Sequence, residues 1–281
     1  MNRWMLTWAA ITAALTLAGC ASSAPRLTVQ QEAAIQYNQR GEAAFRQGDF
    51  ALARDEYQKS LSIHRSVENQ EGVAGELMNL SLVYRRLGNS SDAHGALDQI
   101  ISGPGLAFDD KLRAEAAYRK ASLYLEDADD AQARVWAGRA LDFCRACPAE
   151  GRIYNLQARM ALSARPGESM QFARRALALN RSIGNKLEEA NSQRLIADAA
   201  FQAGDYASAQ AAYDATLQLD KETGAAEKIA LDLMGLGRCL ARQGKRNEAK
   251  EYFQRAYFVS EGAGDTRGME ESAAELMKLA P

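Results

Sequence analysis

The chain has 281 residues, a formal net charge of −2, 25% charged and 47% hydrophobic residues. That mixture excludes a disordered chain and a multi-span membrane protein, and a charge so close to neutral supplies no basic field for nucleic acid. Only two histidines, His64 and His94, are present, so histidine-based metal sites and catalytic relays are short of parts.

Asn2 and Arg3 open the chain, and an apolar run follows from Trp4 to Ala18. About 15 residues is short for a membrane span, which needs ~20, and suits the core of a signal peptide. The run ends in Leu17-Ala18-Gly19-Cys20, which resembles the lipobox of bacterial lipoproteins. The resemblance implies cleavage before Cys20, a diacylglycerol thioether on its sulfur and a fatty chain, palmitate for example, on its new amine. Ala21 in place of an aspartate implies the outer membrane, facing the periplasm. Residues 1–19 then form the signal peptide and residues 20–30 a lipidated tether. Acyl chains at ~0.8 kcal/mol per buried CH₂ make such an anchor effectively permanent, and the ten residues from Ala21 to Gln30 reach at most ~35 Å.

From residue 31 one pattern recurs six times. Turn positions fall at Gly48, Gly88, Ala128, Ala164, Gly204 and Gly244, spaced by 40, 40, 36, 40 and 40. Five residues after each comes a small side chain: Ala53, Ala93, Ala133, Ser169, Ala209, Ala249. Seven before lie Gly41, Ser81, Ala121, Gln157, Ala197 and Gly237, mostly small. Apolar and small residues three and four apart make one helix face, and small residues there let a second helix approach. A glycine between two such faces adopts φ > 0 and turns one helix into the next. Asp49, Asn89 and Asp205 stand where they cap the following helix.

Arg46-Gln-Gly-Asp-Phe-Ala-Leu-Ala53 and Gln202-Ala-Gly-Asp-Tyr-Ala-Ser-Ala209 resemble the turn segment of the tetratricopeptide repeat (TPR) family. The third repeat lacks the glycine, and the fourth carries Arg165-Pro166-Gly167 in a reshaped turn. The resemblance covers residues 31–264. It implies an all-α fold, a right-handed TPR α-solenoid of about six helix-turn-helix repeats. Residues 265–281 supply a C-terminal capping helix, opened by Asp265, as solenoid ends require. Pro104, Pro148 and Pro166 fall in the expected loops.

No phosphate loop, His-Glu-x-x-His or Gly-x-Ser-x-Gly pattern occurs. The carboxylate clusters at Asp109 and Asp110, Asp127 to Asp130, and Glu188 and Glu189 read as helix starts and outer faces. The expectation is therefore a chain that is not an enzyme and that needs no metal and no cofactor. Cys144-Arg145-Ala146-Cys147 fits a disulfide in an oxidising compartment or two inert thiols. A redox pair would want a thioredoxin-like setting. Cys239 reads as a buried thiol.

In TPR stacks the first helix of each pair lines the concave face. The resemblance therefore implies a protein-binding groove bearing Asn38, Arg46, Met78, Asn79, Arg85, Tyr118, Arg119, Tyr154, Asn155, Arg194 and Arg238. Asn79 and Asn155 suit the amides of an extended peptide. Arg119, Arg194 and Arg238 suit acidic side chains or a C-terminal carboxylate. The lysines of the family's carboxylate clamp are missing at the matching places. The expected partner is a protein or peptide of the envelope, with the membrane engaged through the lipid anchor, no nucleic acid and no small-molecule substrate. The function this implies is a scaffold or adaptor, with assembly of a pilus or secretion complex the first reading. Adaptors for peptidoglycan hydrolases, outer-membrane barrel assembly, and a thiol-redox accessory using Cys144 and Cys147 are the alternatives.

Overall fold

A computed structural model describes residues 28–103, 105–144 and 146–279. The expected signal peptide, Cys20 and most of the tether lie outside the described residues. Among the described residues thirteen helices follow one another: α1 (Val29–Arg46), α2 (Phe50–Ser66), α3 (Gln70–Arg86), α4 (Ser90–Ser102), α5 (Asp110–Glu126), α6 (Asp130–Phe143), α7 (Glu150–Ala161), α8 (Pro166–Ser182), α9 (Lys186–Gln202), α10 (Tyr206–Thr223), α11 (Ala226–Arg242), α12 (Arg246–Ala263) and α13 (Thr266–Lys278). No strand occurs among the described residues. Successive helices pack antiparallel as six pairs, and α13 closes the last. The fold is the right-handed α-solenoid expected.

Local chemistry sets the boundaries. Thr28 accepts from the Gln31 amide while the Gln31 side chain accepts from the Thr28 amide. This capping box starts α1 two residues earlier than the expected start of the repeats. Side chains of Asp49, Asn69, Asp109, Asp129, Asn185, Asp205 and Asp265 accept from the third residue of the helix each begins. Asn89 stands at the expected position but makes no such bond. Gly48, Gly88, Ala128, Gly204 and Gly244 have φ of 81°, 78°, 59°, 82° and 79°, closing the preceding helix in the left-handed region. The fourth turn differs: Ala164 is not left-handed, and Pro166 opens α8 as its first residue instead of lying in a loop, where its missing N–H is harmless. A second set of left-handed residues, Gly184, Gly224 and Gly264, spaced by forty, joins one pair to the next.

The odd-numbered helices touch their next odd-numbered neighbours from α3 to α13, whereas the even-numbered ones hold no comparable contacts among themselves. The odd helices therefore line the tighter, inner side of the curve. Small residues on α11 are required by sterics on two sides: a Cβ on Gly237 would lie 2.5 Å from Phe253 Cε1 of its own pair, and one on Gly235 2.5 Å from the Tyr213 ring of the preceding pair. Two apolar clusters fill the interior. One runs from Ala44 to Met160, the other from Ala197 to Ala256.

Candidate functional site

The inner face carries a cavity of about 350 Å³, and all its lining residues lie on α5, α7, α9 and α11. Tyr118, Arg152, Asn155, Leu156 and Arg159 form one bank; Glu188, Asn191, Arg194, Leu195, Asp198, Lys228 and Leu231 form the other. Three of the expected groove residues, Tyr118, Asn155 and Arg194, meet here.

Two of those three are occupied from below. The Asn155 side-chain amide donates to Glu188 Oε2 at 2.9 Å, and its oxygen accepts from Ser192 Oγ at 2.8 Å. Arg194 Nε donates to Asp232 Oδ1 at 2.8 Å, and its Nη2 pairs with Asp220. Both carboxylates are fully buried, and the Arg194 side chain is 13% exposed. The arginine expected to read a partner's carboxylate thus binds two of the protein's own. Burial, reinforced by neighbouring Asp220, pushes the Asp232 carboxyl up to about 7 against the opposing pull of Arg194.

The register Asn38, Met78, Tyr118, Tyr154, Arg194, Met234 turns mainly into the seams between repeats. Asn38 donates to the buried Glu76 at 2.9 Å. Met78, Tyr154 and Met234 are buried, with Arg175 over the Tyr154 ring at 4.3 Å. One helical position is a 100° rotation, so the neighbouring registers face the groove instead. Of these, Asn79 is half-buried and makes no side-chain hydrogen bond among the described residues. Arg119 pairs with Glu115 at 2.9 Å, and Arg238, largely exposed, pairs with Glu275 at 3.0 Å. Arg85 is held by Asp127 at 2.5 Å and Glu126 at 3.3 Å, and Arg46 is exposed at the end of α1. These residues border the inner face without joining the cavity.

The residues left available in the cavity were not among those singled out. Arg159 and Lys228 have no ion-pair partner among the described residues. Lys228 meets only the Asn191 side-chain oxygen, and burial, with Arg194 adding to it, lowers its pKa. Arg152 is tied to Glu115 at 2.5 Å and lies over the Tyr118 ring. Leu231 is 51% exposed, and Leu195 lines the floor beside it. Asp198 accepts from Tyr213 at 2.5 Å, and burial raises its pKa. Glu188 and Lys228, Asn191 and Leu231, Asn155 and Leu195 are each forty apart, so the repeat period itself pointed to this surface.

The cavity thus offers two cations that form no ion pair among the described residues, beside aliphatic and aromatic surface, a setting for a segment that carries an acidic group next to apolar side chains. No group of three or more His, Cys, Asp or Glu residues able to hold a metal occurs among the described residues. His64 bonds Asn69 at 3.1 Å and His94 stacks on Tyr124 at 4.1 Å. Cys144 and Cys147 form a disulfide between α6 and α7, and Cys239 is free and buried.

A tetratricopeptide repeat family model matches residues 31–103 and 188–259. No curated protein matches the sequence significantly. Among solved structures, a signal-transduction ATPase with a tetratricopeptide repeat sensor from Pyrococcus horikoshii is 16% identical, with a TM-score of 0.66 over 88% of this chain. The chain spans 37% of that protein's length. PilF of Pseudomonas aeruginosa is 17% identical, with a TM-score of 0.58 over 88% of this chain and 100% of its own. PilW, a type IV pilus biogenesis factor, is 17% identical, with a TM-score of 0.55 over 73% and 93% of the two chains.

Proposed function

The chain belongs to the tetratricopeptide repeat family, and from that premise we propose that it is a periplasmic scaffold, anchored to the outer membrane through Cys20, that holds an envelope protein on its inner face. It acts by binding, not by catalysis. The observation that carries the binding reading is the pair of cations without an ion-pair partner among the described residues, Arg159 and Lys228, set beside exposed Leu231 in a cavity built wholly from inner helices. Such a site favours an extended segment with an acidic side chain flanked by apolar ones. The anchor reading rests on charge, apolar length and lipobox standing in one order in residues 2–20.

Within that reading the partner belongs to a pilus or secretion complex. Support comes from the shared fold of PilF and PilW, the latter a type IV pilus biogenesis factor. The test is in-cell crosslinking with Arg159→Glu and Lys228→Glu combined. Neither residue pairs with a protein carboxylate, so helicity should stay unchanged while the crosslinked partner is lost. Undiminished crosslinking in a folded double variant would remove the inner cavity as the binding site.

A further inference from the structure

The interior is interrupted at one level. The two apolar clusters end at Met160 and begin again at Ala197, and no buried residue of α8 belongs to either. Between them lie small buried alanines, Ala173, Ala176 and Ala190, interleaved with polar side chains, and Met170 of α8 packs against the second cluster. Asn180, fully buried on α8, donates to Ser192 Oγ at 3.0 Å, and Ser192 bonds Asn155.

Comparison with the protein's other repeats shows what is unusual here. Gln157 stands where the other five have glycine, alanine or serine (Gly41, Ser81, Ala121, Ala197, Gly237). Ser169 stands where they have alanine. Gln193 holds the register of Leu77, Ala117, Ile153 and Leu233, all buried and apolar. Each of these three intrusions carries a buried oxygen without a hydrogen-bond partner, as does Asn180. An unsatisfied buried polar atom weakens the packing around it, whereas an apolar group of the same shape would not. Four such atoms gather around α7, α8 and α9, more than at any other level among the described residues. The family match also lapses across residues 104–187 and resumes at 188.

The inner cavity spans this level, with one bank on α5 and α7 and the other on α9 and α11. We propose that the fourth repeat is a hinge. The solenoid behaves as two apolar bodies joined by an amide-rich seam, and the width of the inner cavity changes as they pivot. The link to binding rests on reading that cavity as the partner's seat: an occupant touching both banks would lock the angle between them. The hinge itself needs no partner, so its failure would leave the binding reading standing.

Native-state hydrogen exchange on the full chain, read by mass spectrometry at urea concentrations below global unfolding, tests the hinge. The α8 amides and the first two turns of α9 should exchange at least tenfold faster than those of the interior repeats α5–α6 and α10–α11. Exchange at equal or slower rates there would overturn the proposal. A second arm replaces the intrusions with residues like those of the other repeats, Gln157→Ala, Ser169→Ala and Gln193→Leu together. Protection of α8–α9 should rise at least tenfold, with α5–α6 unchanged. If it stays the same or falls in a folded variant, the polar intrusions are not what loosens the seam. If the variant does not fold, the first arm still decides.

Discussion

Replacing Arg194 by alanine removes the one cation shared by two fully buried carboxylates. Arg194 joins α9 to Asp220 on α10 and Asp232 on α11, so it ties the fifth pair to the sixth. A surface ion pair contributes about 0–1 kcal/mol. Breaking a buried one by removing a single partner costs ~3–5 kcal/mol, because the remaining charge is stranded in low dielectric. The second figure applies here, since both carboxylates are wholly shielded from solvent. For a solenoid of this size the loss corresponds to roughly 10 °C in Tm. Urea denaturation followed by circular dichroism at pH 7.5 measures it. The pH dependence identifies the cause. Asp232 has its carboxyl raised from the ordinary 3.8 to about 7 in the folded chain. Between those values the folded state holds a proton that the unfolded state releases, so this group's contribution to stability falls as pH rises from about 4 to 7 and is level beyond. Arg194→Ala steepens that fall, and part of its loss is recovered at pH 5. Asp232→Asn removes most of the slope. If Arg194→Ala costs less than about 0.5 kcal/mol at pH 7.5, or is no better tolerated at pH 5, the triad is not a buried latch and the reasoning fails.

Further expectations follow from single positions. Ala128 is held at φ 59°, so Ala128→Gly should stabilise by about 0.5–1 kcal/mol, less than the ~1–2 kcal/mol left-handed penalty because glycine also frees the unfolded chain; a neutral or negative shift in urea midpoint would count against the turn geometry. Gly237→Val places carbon against the Phe253 ring and should cost ~1–3 kcal/mol or more by overpacking, whereas Gly262→Val, open on all sides, should cost no more than ordinary helix propensity; equal losses would show that close approach of α11 and α12 does not require the glycine. Cys20→Ala should leave an unprocessed or soluble chain on membrane fractionation, and unchanged outer-membrane recovery would refute lipidation.

The periodicity of forty residues made the fold readable, because small residues at fixed offsets from the turn are what two helices need in order to touch. The fourth turn departed where its spacing and Pro166 departed. The Cys144–Cys147 bond lay within reach of a three-residue separation. The inner face was less legible. The register holding Asn38, Met78 and Tyr154 was assigned to the groove and is mostly folded into the seams, a displacement of one residue and 100°. No local pattern announces the Arg194 triad: its members sit on three helices, 26 and 38 residues apart along the chain. Asn155 was read as a free amide because Ser192 and Glu188, its partners, lie 37 and 33 residues away. The second series of turn glycines, Gly184, Gly224 and Gly264, was visible at the same spacing of forty but carried no motif to draw attention.

The most direct test of the inner face as the partner's seat is site-specific photocrosslinking in the native cell. A photoreactive side chain at Leu231, half-exposed on α11 within the cavity, should trap a discrete envelope protein; the same group at Arg174, exposed on the outer helix α8, should trap none. A product from Arg174 with nothing from Leu231 would place the partner on the convex side and contradict the account.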